Sequence, residues 1–132
     1  MIVHVHGDPA PQGSVRAINV RGVCRVVAGG DNASKKKLAA WRKAVAKAAK
    51  ETMGGADPWD CPVWLAVRFH LPAPGSPRWP QAATGFDLDK LTRALLDGLT
   101  GVVFVNDARV CKLTAEKVWS DVGGAVVDVR PM

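Results

Sequence analysis

Hydrophobic residues alternate with polar ones in some stretches of the chain and recur every three or four positions in others. Alternation with a β-rich composition predicts strands, at residues 2–6, 63–71, 110–119 and 125–129, and a short hairpin that includes 23–27. Helical spacing predicts two helices, one that begins at Asn32 or Ser34 and ends at Gly54, and one over 89–99. The predicted order is β-(β)-α-β-α-β-β.

Glycine and proline exclude regular structure from two connecting segments. Residues 7–17 and 72–86 contain too many of them for a helix or an inner strand, so both are predicted to be loops. The stretch 101–105 is predicted to be a short apolar strand or turn. These elements predict an α/β (mixed α+β) fold: one domain over 1–132, with a mixed β-sheet on which two main helices pack.

The chain is basic, since 18 Lys and Arg against 12 Asp and Glu give a net charge of +6. Such a balance favours a polyanionic partner such as DNA or RNA. The cysteines Cys24, Cys61 and Cys111 are dispersed and form no zinc-binding pattern, which is typical of a reducing cytosol. The first residues do not resemble a signal peptide, and no run reaches the roughly eighteen apolar residues of a membrane helix. We therefore expect a cytoplasmic protein without a membrane partner.

Three aspartates surround the second predicted helix. Asp87 and Asp89 stand two apart at a loop-to-helix junction, and Asp107 follows the 101–105 stretch, which can return the chain towards the start of that helix. One interpretation is local: Asp89 caps the helix and Asp87 interacts with the positive end of its dipole. The other is a hard-cation site, because Mg²⁺ binds a few carboxylates together with substrate phosphates and activates water for phosphodiester hydrolysis.

The run DLDKLTRALLDGLTGVVFVNDARVCKLTAEK matches the motif of a known nuclease family, with a D-x-D pair, a D-x-L step, a further acid and a lysine about ten residues on. The matched positions are Asp87, Asp89, Leu91, Asp97, Leu99, Asp107 and Lys117. The N-terminal GDPAPQGSVR matches the entry pattern G-x-P-x-P-x-G-x-x-R, with its arginine at Arg16. On these residues the chain resembles the RusA family of Holliday-junction resolvases, found in bacteria and their phages.

The resemblance implies a RusA-like fold and a Mg²⁺-dependent endodeoxyribonuclease, with Mn²⁺ as a substitute metal, acting in DNA recombination and repair. It implies that Asp87, Asp89 and Asp107 hold the metal and that Arg93 and Lys117 support the phosphate. It also implies a homodimer that resolves a four-way junction by paired symmetric nicks, since a C2 dimer presents two identical sites to two equivalent strands. The N-terminal motif suggests a phage or prophage origin, and hence the cytoplasm of a bacterial host.

Three positions depart from the family pattern. Lys90 stands where the family has Asn, Arg93 where it has Lys, and Asn106 where it has the first acid of a D-D pair. Arg93 keeps the positive charge of lysine and can bind a phosphate through two hydrogen bonds. Asn106 offers a neutral oxygen in place of a carboxylate, so a second metal would bind more weakly. Asp97 lies two helical turns beyond Asp89, too far to share a compact metal site, so we assign it either a structural role or a role in supporting the residues that bind the metal.

Four residues are predicted to contact DNA: Arg16, Arg78, Trp79 and Lys90. Arg16, Arg78 and Trp79 belong to predicted loops, where binding residues gather, and Trp79 can stack on or wedge between bases. The alternative for Trp79 is that it packs back onto the core. The lysine-rich first helix is either a solvated face or a track for phosphates.

Three alternative functions are consistent with the sequence. A nuclease of the same fold can prefer flaps or other branched DNA. A nucleic-acid-binding protein that has lost its chemistry would explain Asn106 and Arg93 as marks of decay. A scaffold without a nucleic-acid partner would use its acids only to cap and solubilise a helix.

Overall fold

The computed structural model describes residues 1–13, 15–28 and 31–132, and it describes side chains outside 15–20 and 25–28. Its regular elements are β1 (Ile2–His6), β2 (Val15–Val20), β3 (Val23–Ala28), α1 (Asn32–Met53), β4 (Val63–Pro72), α2 (Leu88–Leu99), β5 (Val110–Ser120) and β6 (Gly124–Pro131). A short 3₁₀ turn, Asp107–Arg109, precedes β5. The predicted order of strands and helices is confirmed.

The main sheet has four strands in the order β1-β6-β4-β5. The β4–β5 pair is parallel, whereas β6 runs antiparallel to both β1 and β4. A parallel pair needs a crossover connection, and α2 lies in the connection between β4 and β5. Strands β2 and β3 form a separate antiparallel hairpin. The predictions of a mixed sheet with two main helices and of a hairpin that includes 23–27 are therefore confirmed.

The core lies between one face of the sheet and the two helices. Alternate residues of β4 are buried, at Val63, Leu65, Val67, Phe69 and Leu71, as expected for a strand with one covered face. Helix α1 buries Trp41, Val45, Ala49 and Met53, and α2 buries Leu91, Thr92, Ala94, Leu95, Gly98 and Leu99. The helices also pack on each other, which fixes α2 relative to α1.

Helix α1 is capped one residue earlier than the sequence predicts. The N-cap is Asp31, not Asn32 or Ser34, and its carboxylate accepts a hydrogen bond from the Ser34 backbone N–H at 2.7 Å. This hydrogen bond holds the pKa of Asp31 below its ordinary value of 3.8. The helix ends, as predicted, at Gly54, which has φ +59°.

One predicted loop has a different boundary in the structure, and the 101–105 stretch takes one of its two predicted forms. The expected loop over 7–17 is too long, because β2 already begins at Val15 and pairs there with β3. The 101–105 stretch is a turn, fixed to Trp59 by hydrogen bonds from Trp59 N to Val103 O and from Val105 N to Trp59 O. Phe104 makes only isolated β-bridges and is fully buried, so the stretch anchors the chain after α2.

Neither α1 nor α2 could serve as a membrane-spanning helix, and no other helix in the described part of the chain is long and apolar enough.

Candidate active site

Asp87 ends the loop before α2 and occupies the N-cap position of that helix. Its side chain makes no capping hydrogen bond and is 67% exposed, so both carboxylate oxygens are open to solvent or a ligand. Lys90 Nζ lies 3.7 Å from Asp87 Oδ2. The expectation that Asp89 is the cap is wrong, because α2 begins at Leu88 and Asp89 lies exposed in its first turn.

Lys117 reaches the same junction from the sheet. It lies on β5 beside Phe69 of β4, on the face that the helices cover. Its Nζ donates a hydrogen bond to the Phe86 carbonyl at 2.7 Å. Because Phe86 is bonded directly to Asp87, this contact brings an ammonium group from β5 to the start of α2, where two of the predicted carboxylates stand.

Asp107 begins the 3₁₀ turn, which contacts α2, and is exposed. The preceding residue, Asn106, caps this turn: its Oδ1 accepts a hydrogen bond from Ala108 N at 2.8 Å. Arg109 Nε donates to Asp60 Oδ1 at 2.7 Å and holds the turn against the segment before β4. Asn106 thus has a structural role as the cap of this turn.

The chemistry of these side chains fits a divalent cation. Exposed carboxylates are hard oxygen donors. Within the described part of the chain, the Asp87 carboxylate makes no capping hydrogen bond and forms an ion pair with Lys90. Across residues 1–13, 15–28 and 31–132, no three His, Cys, Asp or Glu side chains are grouped closely enough to hold a metal ion. The joint coordination by Asp87, Asp89 and Asp107 stays a prediction.

The exposed stripe of α2 carries two further charged residues. Arg93 lies one turn beyond Asp89 and is exposed. Asp97 lies one turn beyond Arg93 and forms a salt bridge of 3.0 Å with Arg42 Nη2 of α1. The same Nη2 also donates to Gln12 Oε1. Asp97 therefore joins α2 to α1 and to the N-terminal segment, in agreement with a structural role.

A cleft of about 970 Å³ opens beside the start of α2. The N-terminal segment 7–13, the first half of α1, the end of β4 and the loop 84–86 form its walls, together with Lys90 and Trp119. Lys35 and Lys37 of α1 also line it, so part of the lysine-rich helix borders the site. Gln12 N donates to Lys90 O at 3.0 Å, which fixes one wall of the cleft to α2.

Arg78 and Trp79 lie together in the long loop after β4. The Arg78 guanidinium carbon is 4.4 Å from the centroid of the Trp79 ring, a cation–π contact. Trp79 is 41% exposed, so the alternative in which it packs into the core is wrong. Its carbonyl accepts a hydrogen bond from Trp119 Nε1 at 3.3 Å, which fixes the loop to β5. The side chain of Arg16 lies outside the described residues.

Three residues near the site were not predicted from the sequence. Phe86 is 42% exposed between the cleft and Asp87 and provides the acceptor for Lys117. Gln12 and Trp119 fix the cleft walls. Alternation along β5 does place Lys117 and Trp119 on one face, which was the available signal for Trp119. The contacts of Phe86 and Gln12 join distant segments and have no local signal.

Comparison with known families gives one match that spans nearly the whole chain: the family model described as Endodeoxyribonuclease RusA matches residues 8–130. The match covers the loop before α2, both helices, the 3₁₀ turn and β5. No curated protein matches the sequence.

Proposed function

Because the chain belongs to the endodeoxyribonuclease RusA family, we propose that it resolves Holliday junctions by paired symmetric nicks that require Mg²⁺, with Mn²⁺ as a substitute. The chain is an endodeoxyribonuclease, and branched DNA junctions are the substrate class of its family. The metal, the pairing of the nicks and the role of each residue belong to the proposal.

The observation that carries the proposal is the contact between Lys117 Nζ and Phe86 O. It gathers a cation from β5 and the exposed carboxylate of Asp87 at one end of α2, beside a cleft that Lys35, Lys37 and Lys90 help to line. Phosphodiester hydrolysis needs this combination, because anionic oxygens of the substrate must be held while charge develops on the phosphate. A helix cap alone would require neither Lys117 nor the cleft.

In this proposal Asp87, Asp89 and Asp107 hold the divalent cation, which when bound activates the attacking water and stabilises the leaving oxygen. Lys117 supports the charge on the scissile phosphate from the sheet side. Arg93, one turn beyond Asp89, binds a phosphate oxygen from the helix side, where its planar guanidinium can make two parallel hydrogen bonds.

The junction arms would contact basic and aromatic residues at the cleft and on the neighbouring loop. Lys90 lies at the cleft and Arg78 with Trp79 lies on the loop beside β5, so the proposal uses all three as DNA contacts. Arg16 is the fourth contact carried over from the sequence motif. Basic side chains supply most of the nonspecific affinity for DNA, and an exposed Trp can stack on an unpaired base.

A homodimer completes the proposal. A four-way junction is close to two-fold symmetric, so two copies of one site related by a C2 axis reach two equivalent strands. Paired symmetric nicks then follow from the symmetry of the enzyme without any difference between its subunits.

Metal binding tests the proposal separately from cleavage. We expect MgCl₂ to raise the Tm of the wild-type protein and expect Asp87→Asn to lose most of that increase. Asp97→Asn, the same chemical change on the same helix, is the matched control and should keep it. Equal stabilisation of all three proteins by MgCl₂ would remove Asp87 from the metal site.

Substrate choice is tested on the same proteins with a four-way junction, a flap and a linear duplex of matched sequence. Preferential cleavage of the junction supports the proposal. Faster cleavage of the flap would replace it with a flap nuclease of the same fold. Binding without cleavage in both Mg²⁺ and Mn²⁺ would overturn the assigned catalytic roles.

A further inference from the structure

We propose that β5 is the surface through which two copies of the chain associate, by antiparallel pairing of the two β5 strands about a two-fold axis at Thr114. The dimer itself belongs to the proposed function, on which this surface depends. The sheet would then continue from one subunit into the other as eight strands. Three features of β5 carry the proposal: a free edge, a self-complementary sequence and its position relative to the candidate site.

The edge of β5 is long and unprotected. Eleven residues form this outer strand, and β4 is its neighbour in the sheet. Among the described residues, no segment outside the sheet makes a backbone hydrogen bond to positions 111–119. Residues 111–114 are all exposed, and Leu113 is 45% exposed although it lies on the helix side of the sheet beside the buried Leu65. Unpaired edges of this kind are sites of strand addition.

The opposite edge of the sheet does not share these features. Strand β1 has only five residues, and its face towards the helices is filled by the buried Val3 and Val5. Short edge strands are one of the means by which proteins avoid edge-to-edge association. The asymmetry between the two edges selects β5.

The sequence KLTAE at 112–116 is complementary to itself when it is reversed about Thr114. Antiparallel pairing in this register places Lys112 opposite Glu116 of the partner subunit on the face away from the helices, and the same pair recurs on the other side of the axis. On the helix side, Leu113 meets Ala115 of the partner subunit. The exposed apolar surface of Leu113 is thereby covered, and no like charges are opposed.

The charges on β5 also favour pairing with a second copy of this strand over pairing with an unrelated strand. Lysine on an edge strand ordinarily repels an incoming strand or leaves its charge uncompensated. A copy of the same chain provides the glutamate that matches Lys112, next to the ion pair that Glu116 already makes with Arg68. Lys117 does not interfere, because its Nζ is held by Phe86 O. Favourable and unfavourable pairings together give such an edge its specificity.

The pairing brings the two candidate sites to one side of the assembly. Residues that face each other across an antiparallel pair lie on the same side of the sheet, so the two-fold axis is perpendicular to the sheet and both helix layers face the same way. Lys117 is three residues from Thr114, and at about 3.4 Å per residue the two Lys117 Cα atoms lie roughly 20 Å apart. Both sites can therefore act on one junction.

A cross-linking experiment tests the register. In a parent protein with Cys24, Cys61 and Cys111 replaced by Ala, Thr114→Cys places two thiols on the axis at Cα separations of about 4.5–5.5 Å, within the range of a disulfide. Lys112→Cys is the matched control, because its own symmetry mate lies roughly 14 Å away. Under mild oxidation we expect nearly complete covalent dimer for Thr114→Cys and little for Lys112→Cys. Equal cross-linking of the two variants would overturn the register.

Charge exchange tests the surface without cysteine. We expect Lys112→Glu to raise the dimer Kd about tenfold, since it opposes two glutamates on each side of the axis. The double variant Lys112→Glu/Glu116→Lys should restore the wild-type Kd, measured by analytical ultracentrifugation against the monomer mass of 14.0 kDa. Lys50→Glu, an equal charge change on α1, is the control and should leave the Kd unchanged. Failure of the double variant to restore association would overturn the proposal.

Cleavage of a four-way junction by the wild-type protein separates this surface from the proposed function. A dimer that cleaves the junction but shows no Thr114→Cys cross-link overturns the surface alone. A monomer that cleaves the junction overturns both the surface and the two-fold part of the proposed function. A dimer with the expected cross-link that cleaves no branched DNA supports the surface and overturns the proposed reaction.

Discussion

Gly98 of α2 packs directly against Val45 of α1, and Gly98→Ala is expected to destabilise the protein. A Cβ added at Gly98 would lie 2.8 Å from Val45 Cγ1 and 3.0 Å from Val45 Cβ, with Arg42 O at 3.4 Å. Val45 is fully buried, so it cannot turn away into solvent.

Two effects of opposite sign determine the magnitude. Overpacking at a buried contact costs about 1–3 kcal/mol, whereas alanine in a helix interior is favoured over glycine by about 1 kcal/mol. The net loss is about 1 kcal/mol, which lowers the Tm by about 3–5 °C for a chain of this size. Urea unfolding followed by circular dichroism would measure the free energy of unfolding for both proteins.

A double-mutant cycle with Val45→Ala isolates the contact. Removing the two methyl groups takes away the 2.8 Å contact with Val45 Cγ1 but leaves the 3.0 Å contact with the Cβ atom, so in that background Gly98→Ala should destabilise the protein less than in the wild type. We expect a coupling between the two positions of about 1 kcal/mol. Stabilisation by Gly98→Ala in the wild-type background, with no coupling to Val45, would show that the helices do not approach this closely.

Three further predictions concern single side chains. Lys117→Ala should lower kcat for junction cleavage by about 10²–10³-fold, the usual loss when a charge-stabilising donor is removed. The affinity for the junction, measured in a gel-shift assay, should not change. Lys117→Arg keeps the positive charge and should recover part of the lost kcat. Asp97→Asn breaks the exposed ion pair with Arg42, so the free energy of unfolding should fall by at most about 1 kcal/mol. Junction cleavage should persist in this variant. Asp31 has a lowered pKa because of the Ser34 N–H, so its stabilisation is present above the ordinary pKa of 3.8 and is lost as the pH falls through the folded-state value. The Tm difference between wild type and Asp31→Ala should therefore shrink below pH 3.8. Asp31→Asn can cap the helix at every pH, so its Tm difference from Asp31→Ala should not shrink in this way. A Tm difference between wild type and Asp31→Ala that does not depend on pH would refute the role of the charge.

Local patterns in the sequence were sufficient for most elements. Alternation and β-rich composition predicted β4, β5 and β6, and in β4 alternate residues are buried. Helical spacing predicted α2 within one residue. The caps were less predictable. Asp31, Asn32 and Ser34 all suit an N-cap, and only the hydrogen bond to Ser34 N decides among them. Helix α2 begins at Leu88, one residue before the predicted start, and its N-cap is Asp87, two residues before Asp89.

The arrangement of the site depended on contacts between distant parts of the chain. Alternation placed Lys117 on one face of β5, but the parallel pairing with β4 is not encoded in either strand alone. The proline-rich loop gives no periodic signal, so the return of Phe86 to Lys117 Nζ was not predictable. The same holds for Gln12, which joins the N-terminal segment to Lys90 O and closes the cleft.

Mapping of the cut sites on a mobile four-way junction, labelled on each strand in turn, tests the proposed function as a whole. The wild-type protein in Mg²⁺ should nick two opposed strands at symmetry-related positions, with no product in EDTA. Asp107→Asn should bind the junction and leave all four strands intact. Cleavage that persists in EDTA or in Asp107→Asn, or nicks confined to one strand, would overturn the proposed metal-dependent, two-fold resolution of the junction.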